Sequence, residues 1–190
     1  MTPLLITDNV HNWAWANTFS PEECEKIITI GTRAILSPAT LANSNNTGVG
    51  TQIRDSDVSW LYPSAETDWI FERISATTKY LNDNFFNFHL SNFAEGLQFT
   101  RYVAPSGHYK QHIDKAFQGP IRKLSLTIQL SNANDYTGGE LVLLYGEKQS
   151  MPKEQGKVIA FPSYVLHQVE PVTAGTRYSL VAWVTGNQFT

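Results

Sequence analysis

At 190 residues, with 42% apolar and 16% charged residues, the chain has the size and composition of one folded domain rather than of a disordered segment. The net charge of −3 and the isoelectric point near 5.9 argue against a general electrostatic grip on nucleic acid or on an anionic membrane. Cys24 is the only cysteine and no apolar run reaches the roughly 18 residues of a membrane span, so we expect a cytoplasmic protein without an intramolecular disulfide.

A helix is predicted to begin at Ser20, after a stretch over residues 3–19 that suits one or two short strands. Ser20 can cap the helix, Pro21 suits its first position, and Glu23 completes a capping box with Ser20. Apolar residues then recur at helical spacing, which predicts that this helix continues to about Leu36.

Composition changes after this helix. Residues 37–50 are rich in Ser, Asn and Gly, which is typical of a mobile loop or a hairpin tip within one domain. Residues 53–61 are predicted to form a strand. Apolar residues on one face predict a second helix from about Ser64 to Phe85.

From Leu97 onward the pattern predicts strands, separated by turn signals that contain Gly, Pro or Asn. The predicted strands span residues 97–104, 121–130, 140–145, 156–161, 166–170 and 176–185. A helical layer followed by a run of strands predicts an α+β domain whose core is a sandwich or a barrel.

The histidines are the first candidates for a metal site, although a lone histidine is more often a hydrogen-bonded core or surface residue. The chain contains His11, His89, His108, His112 and His167. His108 and His112 stand four residues apart, as in a zinc-protease helix, but that motif needs Glu directly after the first His and this chain has Tyr109 there. We therefore reject the zinc-protease interpretation.

His112 and Asp114 stand two residues apart, so their side chains would point to the same face of an extended strand. A hydrogen-bonded His–Asp pair at a strand end is the simpler interpretation. His167 offers a third ligand, because it lies in an apolar segment where a buried imidazole needs a partner. Two imidazoles and one carboxylate form the facial ligand set of non-heme Fe(II) oxygenases.

Arg177 lies in the most apolar predicted strand of the chain. An arginine is costly to bury unless it pairs with an anion, and its planar guanidinium suits a carboxylate. A structural Arg–Asp pair would satisfy it. A small carboxylate-bearing cosubstrate beside a metal would satisfy it as well.

The set of His112, Asp114, His167 and Arg177, in this order and at these intervals, resembles the 2-oxoglutarate- and Fe(II)-dependent dioxygenases, specifically the prolyl 4-hydroxylase-like family. The similarity extends from about Ile53 to Val184. Further segments resemble that family or the bacterial PKHD-type hydroxylases, namely residues 53–61, 138–141 and 161–162.

This resemblance implies a single Fe(II)/2-oxoglutarate dioxygenase domain over residues 1–190. Its core would be a double-stranded β-helix (jelly-roll) at about 97–186. Residues from about 20 to 85 would form a helical support region, whose helices pack on the major sheet of that core.

The resemblance also implies roles for individual residues. His112, Asp114 and His167 would bind Fe(II) and form the catalytic centre, Arg177 would bind the distal carboxylate of 2-oxoglutarate, and Tyr102 would hydrogen-bond this cosubstrate. Gln129 stands where oxygen-sensing members use a tyrosine to hold the cosubstrate, so it would contact 2-oxoglutarate here. The 37–50 loop would close over a bound peptide. The substrate groove would be lined by Arg54, Trp60, Tyr109 and Trp183. Both tryptophans are also compatible with an ordinary place in the core.

The implied activity is hydroxylation of a prolyl residue, at C4, in a peptide or protein. The enzyme would consume 2-oxoglutarate and O2, release succinate and CO2, and use ascorbate. Asp114 favours hydroxylation, because halogenases related to this family carry a small residue in its place. Trp183 stands where nucleic-acid demethylases carry a second arginine, which argues against a nucleic-acid partner. We also expect no membrane partner, and we favour a monomer. The alternatives are hydroxylation of another side chain or of a small molecule, and a non-catalytic jelly-roll binding module.

Overall fold

The computed structural model describes residues 12–34, 36–39, 52–114 and 121–187. Within these ranges the chain forms two β-sheets, and two α-helices cover one face of the larger sheet. Neither of these helices is long and apolar enough to cross a membrane.

Helix α1 (Pro21–Arg33) begins where the capping box predicts. The Ser20 hydroxyl accepts a hydrogen bond from the backbone N–H of Glu23 at 3.2 Å, and the Glu23 carboxylate accepts one from the backbone N–H of Ser20 at 2.9 Å. The predicted end near Leu36 is wrong, because the backbone is already extended at Ala34.

The second predicted helix, over residues 64–85, is shorter in the structure. Helix α2 (Asp68–Leu81) is preceded by a turn in which the Thr67 hydroxyl donates to the Tyr62 carbonyl at 2.6 Å. A π-helical turn (Asn82–Phe86) follows and ends at Asn87, whose φ of 53° lies in the left-handed region.

All six strands predicted from Leu97 onward are present, together with shorter ones. The strands are β1 (Ala14–Asn17), β2 (Ser37–Pro38), β3 (Arg54–Asp55), β4 (Asp57–Leu61), β5 (Leu90–Phe93), β6 (Leu97–Val103), β7 (His108–His112), β8 (Arg122–Gln129), β9 (Tyr136–Gly138), β10 (Leu141–Tyr145), β11 (Glu147–Ser150), β12 (Lys157–Pro162), β13 (Leu166–Val169) and β14 (Val172–Gly186). Strands β2, β5, β9 and β11 were not predicted, and β7 was anticipated only as an extended segment at His112 and Asp114, without bounds. They are short and mostly carry exposed or partly exposed side chains, so they lack an apolar alternation.

The predicted strand over residues 53–61 is two strands, β3 and β4, which separate at Ser56 and join different sheets. Of the predicted 37–50 loop, Ser37–Pro38 form β2, and residues 40–50 lie outside the described residues. The part of the first predicted strand region before residue 12 also lies outside them.

The larger sheet has the order β1-β12-β8-β14-β6-β4-β2, with β5 and β9 also paired to β14. The smaller sheet has the order β11-β10-β13-β7-β3, and neighbouring strands in both sheets are antiparallel. Two antiparallel sheets that share the chain in this interleaved order form the predicted jelly-roll.

The two faces of the larger sheet differ in chemistry. On β8, Leu124, Leu126 and Ile128 are fully buried in the core formed with the helices. The alternate residues of the same strand are buried polar side chains, Ser125, Thr127 and Gln129. We call the face that carries these polar residues the inner face. It is turned toward the smaller sheet, because Ser125 contacts Asp114, which follows β7.

Candidate metal centre and cosubstrate pocket

His112 and His167 are brought together by the smaller sheet. They are opposite each other in the antiparallel pair of β7 and β13, with ring centres 4.1 Å apart. Asp114 lies beyond the end of β7, so the expectation of a single extended strand is wrong for this residue. Its backbone N–H donates to the Ser163 carbonyl at 3.0 Å, which holds the carboxylate beside the two imidazoles.

The three side chains form one compact donor cluster. His112 Nε2 lies 3.6 Å from Asp114 Oδ1, and His167 Nε2 lies 3.5 Å from Asp114 Oδ2. One ligand atom from each residue lies within 4.8 Å of the others. Two nitrogens and one carboxylate oxygen on one side of a metal ion match the facial set that Fe(II) oxygenases use.

Hydrogen bonds set the tautomer of both histidines. Nδ1 of His112 lies 2.7 Å from the Lys110 carbonyl, and Nδ1 of His167 lies 2.9 Å from the Val165 carbonyl. A carbonyl oxygen can only accept, so each Nδ1 must carry the hydrogen and donate it. Each Nε2 therefore keeps its lone pair and points it toward the cluster, as a metal ligand requires.

Electrostatics keep these groups in the protonation states that bind metal. Burial and the neighbouring His167 lower the pKa of His112 to about 4, although Asp114 acts in the opposite direction. Burial alone would raise the pKa of Asp114. The facing imidazoles and hydrogen-bond donors outweigh it and hold that pKa below its usual value. Near neutral pH His112 is therefore a neutral imidazole and Asp114 a carboxylate.

Asp114 is held by two serines that sequence reasoning missed. The Ser125 hydroxyl donates to Asp114 Oδ2 at 2.8 Å and lies 2.9 Å from the Ser163 hydroxyl. Both serines are fully buried. No sequence signal singled them out, because the alternation of polar residues with leucines along β8 also fits a strand with one exposed face.

Arg177 lies on β14 and is 1% exposed. Its Nη2 donates to Gln129 Oε1 at 2.9 Å and its Nη1 to the Ser179 hydroxyl at 3.4 Å, while its Cζ lies 5.3 Å from the centre of the Tyr102 ring. All of these partners are neutral. Among the described residues Arg177 forms no ion pair, so the alternative of a structural Arg–Asp pair finds no support there.

The guanidinium of Arg177 also keeps an unused donor. Its Nε is buried and has no hydrogen-bond partner in the described part of the chain. A buried charge with an unsatisfied N–H is unfavourable unless an anion completes the site. The inner face near Arg177 carries the buried polar side chains Ser125, Thr127 and Ser179, and Val181 lies opposite Thr127 on the same face. This polar, enclosed arrangement fits a small dicarboxylate such as 2-oxoglutarate.

Gln129 and Tyr102 surround Arg177 rather than the metal cluster. The Gln129 amide N–H donates to the Pro152 carbonyl at 3.1 Å, which directs its oxygen toward Arg177. Tyr102 is opposite Arg177 in the β6–β14 pair. Gln129 therefore acts on Arg177 by fixing the direction of its guanidinium.

Tyr109 and Arg54 form a stack on the outer side of the metal cluster. The Tyr109 ring lies 3.5 Å from the His112 ring at an interplanar angle of 16°. The Arg54 Cζ lies 4.6 Å from the centre of the Tyr109 ring. Burial raises the pKa of Tyr109 against the opposing effect of Arg54, so its phenol stays protonated.

Trp183 and Trp60 lie next to each other, with ring centres 6.2 Å apart. The buried Trp183 N–H lies close enough to Asp114 to help lower the pKa of that carboxyl. Its distance and angle to neighbouring acceptors fall short of a hydrogen bond. The Arg122 guanidinium lies 3.9 Å above the Trp183 ring. Trp183 therefore presents an unused donor at the metal cluster.

The sequence model of the 2OG-Fe(II) oxygenase superfamily matches residues 97–185, which include all three cluster residues and Arg177. Residues 97–185 are therefore similar to the 2OG-Fe(II) oxygenase superfamily. The resemblance inferred from the sequence alone is thereby confirmed.

The chain is similar to curated bacterial proteins named PKHD-type hydroxylases. One from Prochlorococcus marinus is 40% identical over 101 residues, which cover 52% of this chain and 45% of the relative. One from Acaryochloris marina is 43% identical over 90 residues, which cover 46% of this chain and 41% of the relative. The chain spans less than half the length of the relatives it matches.

Solved structures of the superfamily have the same fold. A prolyl-4-hydroxylase from Pseudomonas putida aligns with a TM-score of 0.73 at 21% identity, over 93% of this chain and 94% of its own. A prolyl hydroxylase from Trichoplax adhaerens, in complex with a peptide fragment of the hypoxia inducible factor oxygen degradation domain, aligns with a TM-score of 0.76 at 17% identity, over 94% of this chain and 85% of its own. At these identities the likeness concerns the fold.

Proposed function

We propose that this protein is an Fe(II)- and 2-oxoglutarate-dependent dioxygenase that hydroxylates a prolyl residue, at C4, in a peptide or protein. The observation that carries the proposal is the pairing of a three-residue metal-ligand set with a buried cation. His112, Asp114 and His167 together offer three ligand atoms, and the buried Arg177 has only neutral hydrogen-bond partners among the described residues. An Fe(II) ion and one 2-oxoglutarate would complete both.

The protein's own residues position the reactants. His112, Asp114 and His167 would hold Fe(II) on one face, and bound Fe(II) supplies the oxidative chemistry that couples decarboxylation of 2-oxoglutarate to hydroxylation. Arg177 would take the distal carboxylate, which orients the cosubstrate with its oxo-acid end toward the cluster. The enclosed inner face excludes water from this pocket.

Asp114 supports hydroxylation as the outcome. A carboxylate in the ligand set occupies a position that a halide would need in order to transfer to substrate. The Ser125 hydroxyl, which is itself hydrogen-bonded to the Ser163 hydroxyl, holds Oδ2 of Asp114 in place, which favours a permanent ligand over a displaceable one.

A peptide or protein substrate is supported by the structural relatives. These are prolyl hydroxylases, and one of them is in complex with a peptide fragment. The proposed groove on this chain comprises Arg54, Trp60, Tyr109 and Trp183. Aromatic faces and buried donors near the metal cluster suit a pyrrolidine ring and the carbonyl groups beside it.

Two alternatives remain as outcomes of the test. Hydroxylation of another side chain or of a small molecule would use the same metal cluster and the same Arg177. A non-catalytic jelly-roll module is disfavoured, because a module without cosubstrate would have no use for the uncompensated charge of Arg177.

The experiment measures succinate formed from 2-oxoglutarate by the purified chain with Fe(II), O2 and ascorbate, with and without a pool of proline-containing peptides. Mass spectrometry then locates any added oxygen on the peptides. We expect iron-dependent succinate and a gain of one oxygen on proline. Oxygen on another residue would replace prolyl specificity with the first alternative.

His112→Ala is the inactive variant of this experiment, because it removes one of the three ligands. His89→Ala is its matched control, since His89 is exposed and lies outside the cluster. We expect His112→Ala to reduce succinate to the background without enzyme, and His89→Ala to match the wild type. Equal activity of both variants would refute the proposed cluster.

A further inference from the structure

Arg54 is a second buried arginine near the metal cluster. It lies on β3 opposite Tyr109 of β7 and is 8% exposed. Its Nε donates to the Ser56 hydroxyl at 2.9 Å, and its Nη2 donates to Gln98 Oε1 at 2.8 Å. With the Tyr109 ring on one side, the guanidinium is held in one orientation entirely by neutral groups.

The carboxylates closest to Arg54 in sequence are engaged elsewhere. Asp57 pairs with Arg101 at 2.8 Å, and Asp55 accepts a hydrogen bond from the Ser106 hydroxyl at 2.6 Å. Arg54 itself forms no ion pair within the described ranges of the chain.

Two segments outside the described residues, 40–51 and 115–120, contain no Asp and no Glu. A cation–π contact and two neutral acceptors are weaker compensation for a buried guanidinium than a carboxylate would be. Arg54 thus has the same electrostatic signature as Arg177: a buried positive charge that the described residues orient and leave without an anion.

The two arginines contact the inner face at separate places, Arg177 from β14 and Arg54 from β3 of the smaller sheet. Gln98, which holds Arg54, and Tyr102, which faces Arg177, both lie on β6. Four residues along a strand correspond to roughly 13 Å. Arg54 is instead linked to the metal cluster from its other side, through the stack of Tyr109 on His112. One 2-oxoglutarate at Arg177 therefore leaves Arg54 without its anion.

We propose that Arg54 is a specificity-determining residue that receives a carboxylate of the substrate, next to the atom that is hydroxylated. This inference rests on the proposed function and names a substrate class: chains that carry an acidic group close to the target residue. Two sources of the carboxylate fit, an Asp or Glu side chain and the α-carboxylate of a chain end. Gln98 and Ser56 are positioning residues, because they direct the guanidinium without touching the substrate.

The test measures peptide binding with turnover blocked. The full chain is loaded with Mn(II) and 2-oxoglutarate without oxygen, and the dissociation constants of labelled proline peptides are measured by fluorescence anisotropy. The peptides come in pairs, Glu against Gln at each position around proline, and C-terminal carboxylate against C-terminal amide. The two kinds of pair separate the two sources of the carboxylate.

We expect the acidic member of at least one pair to bind wild type roughly ten- to hundredfold more tightly, as a charge-assisted bidentate contact allows. Arg54→Met should remove this difference. Arg54→Lys should keep part of it, because lysine keeps the charge but not the planar guanidinium. Arg101→Met is the matched control and should keep the full difference, since the charge of Arg101 is already paired with Asp57.

Three results would overturn the inference: equal binding of every pair by wild type, a preference that survives in Arg54→Met, or no peptide binding at all. If Arg54→Met fails to fold, the wild type and Arg54→Lys still decide. Failure of the proposed function would register elsewhere, as absence of iron-dependent succinate when oxygen is admitted, because the binding assay requires no turnover.

Discussion

The two faces of the larger sheet are built from the same strands and have opposite chemistry. On β8 and β14 the residues facing the helices are aliphatic and fully or almost fully buried, such as Leu126 and Leu180. Their neighbours on the inner face are equally buried but polar or charged, such as Gln129 and Arg177. The helix-facing side packs into one hydrophobic core. The inner face contributes Ile159 and Phe161 to a second core, and it also holds buried polar groups that a ligand would complete.

This contrast explains why buried polarity is the informative signal. An aliphatic face needs only close packing, and it is satisfied within the protein. On the inner face the guanidinium of Arg177 and the indole of Trp183 each keep a buried N–H without a partner. Unsatisfied groups of this kind are unfavourable for folding, so their presence on one surface points to binding.

The largest effect is expected from a change on the helix-facing side. Ile128→Ala removes a fully buried side chain between the sheet and the helices and should lower the free energy of unfolding by about 2–5 kcal/mol. Its neighbour Thr127 faces the other way, and Thr127→Ala should cost about 1 kcal/mol, for the loss of one methyl and a hydroxyl. Denaturant unfolding measures both.

At a temperature where Ile128→Ala is folded, its affinity for 2-oxoglutarate in the Mn(II)-loaded state should equal that of the wild type. A large loss of affinity with little loss of stability would contradict the division of labour between the faces.

The second effect concerns the inner face. Arg177→Met keeps the volume of the side chain and removes its charge, and should weaken 2-oxoglutarate binding roughly ten- to hundredfold, since charge-assisted hydrogen bonds are lost. Calorimetric titration of the Mn(II)-loaded protein measures this, and titration of Mn(II) alone should give an unchanged affinity. The affinity of Arg177→Lys for 2-oxoglutarate should lie between that of the wild type and that of Arg177→Met.

The same variant tests the stability argument from the opposite side. Because Arg177 has no counter-ion among the described residues, Arg177→Met should leave the free energy of unfolding without cosubstrate unchanged or raise it. If Arg177→Met lowered the free energy of unfolding as much as Ile128→Ala, Arg177 would stabilise the fold itself. The inner face would then not be specialised for binding.

The site residues that carry distinctive chemistry could be found from the sequence. His167 and Arg177 belong to residue types that are expensive to bury and lie in apolar segments, whereas His112 and Asp114 stand out by their spacing of two residues. The supporting residues could not. Ser125 in an alternating strand looks the same as an exposed serine, because periodicity alone does not reveal that both faces of β8 are buried.

Strand boundaries around the site were predicted with the same limits. The long apolar strands were found, whereas β7, which carries His112, has mostly exposed or partly exposed side chains and no apolar alternation. Asp114 was placed in that strand, although the chain leaves the strand at His112 and is held by the Ser163 carbonyl. Long-range hydrogen bonds of this kind depend on tertiary contacts, and no local pattern encodes them.

The smallest effect tests how far the inner face extends. Trp60 is only partly buried and contacts Trp183, so Trp60→Ala should reduce peptide hydroxylation about three- to tenfold, the size of one aromatic contact, while succinate formed without peptide changes less than about twofold. Trp15→Ala is the control, because Trp15 is 44% exposed on the edge strand β1. If Trp60→Ala instead lowered the free energy of unfolding by about 3–5 kcal/mol and left hydroxylation per folded molecule unchanged, Trp60 would be a core residue and the functional surface would end at Trp183.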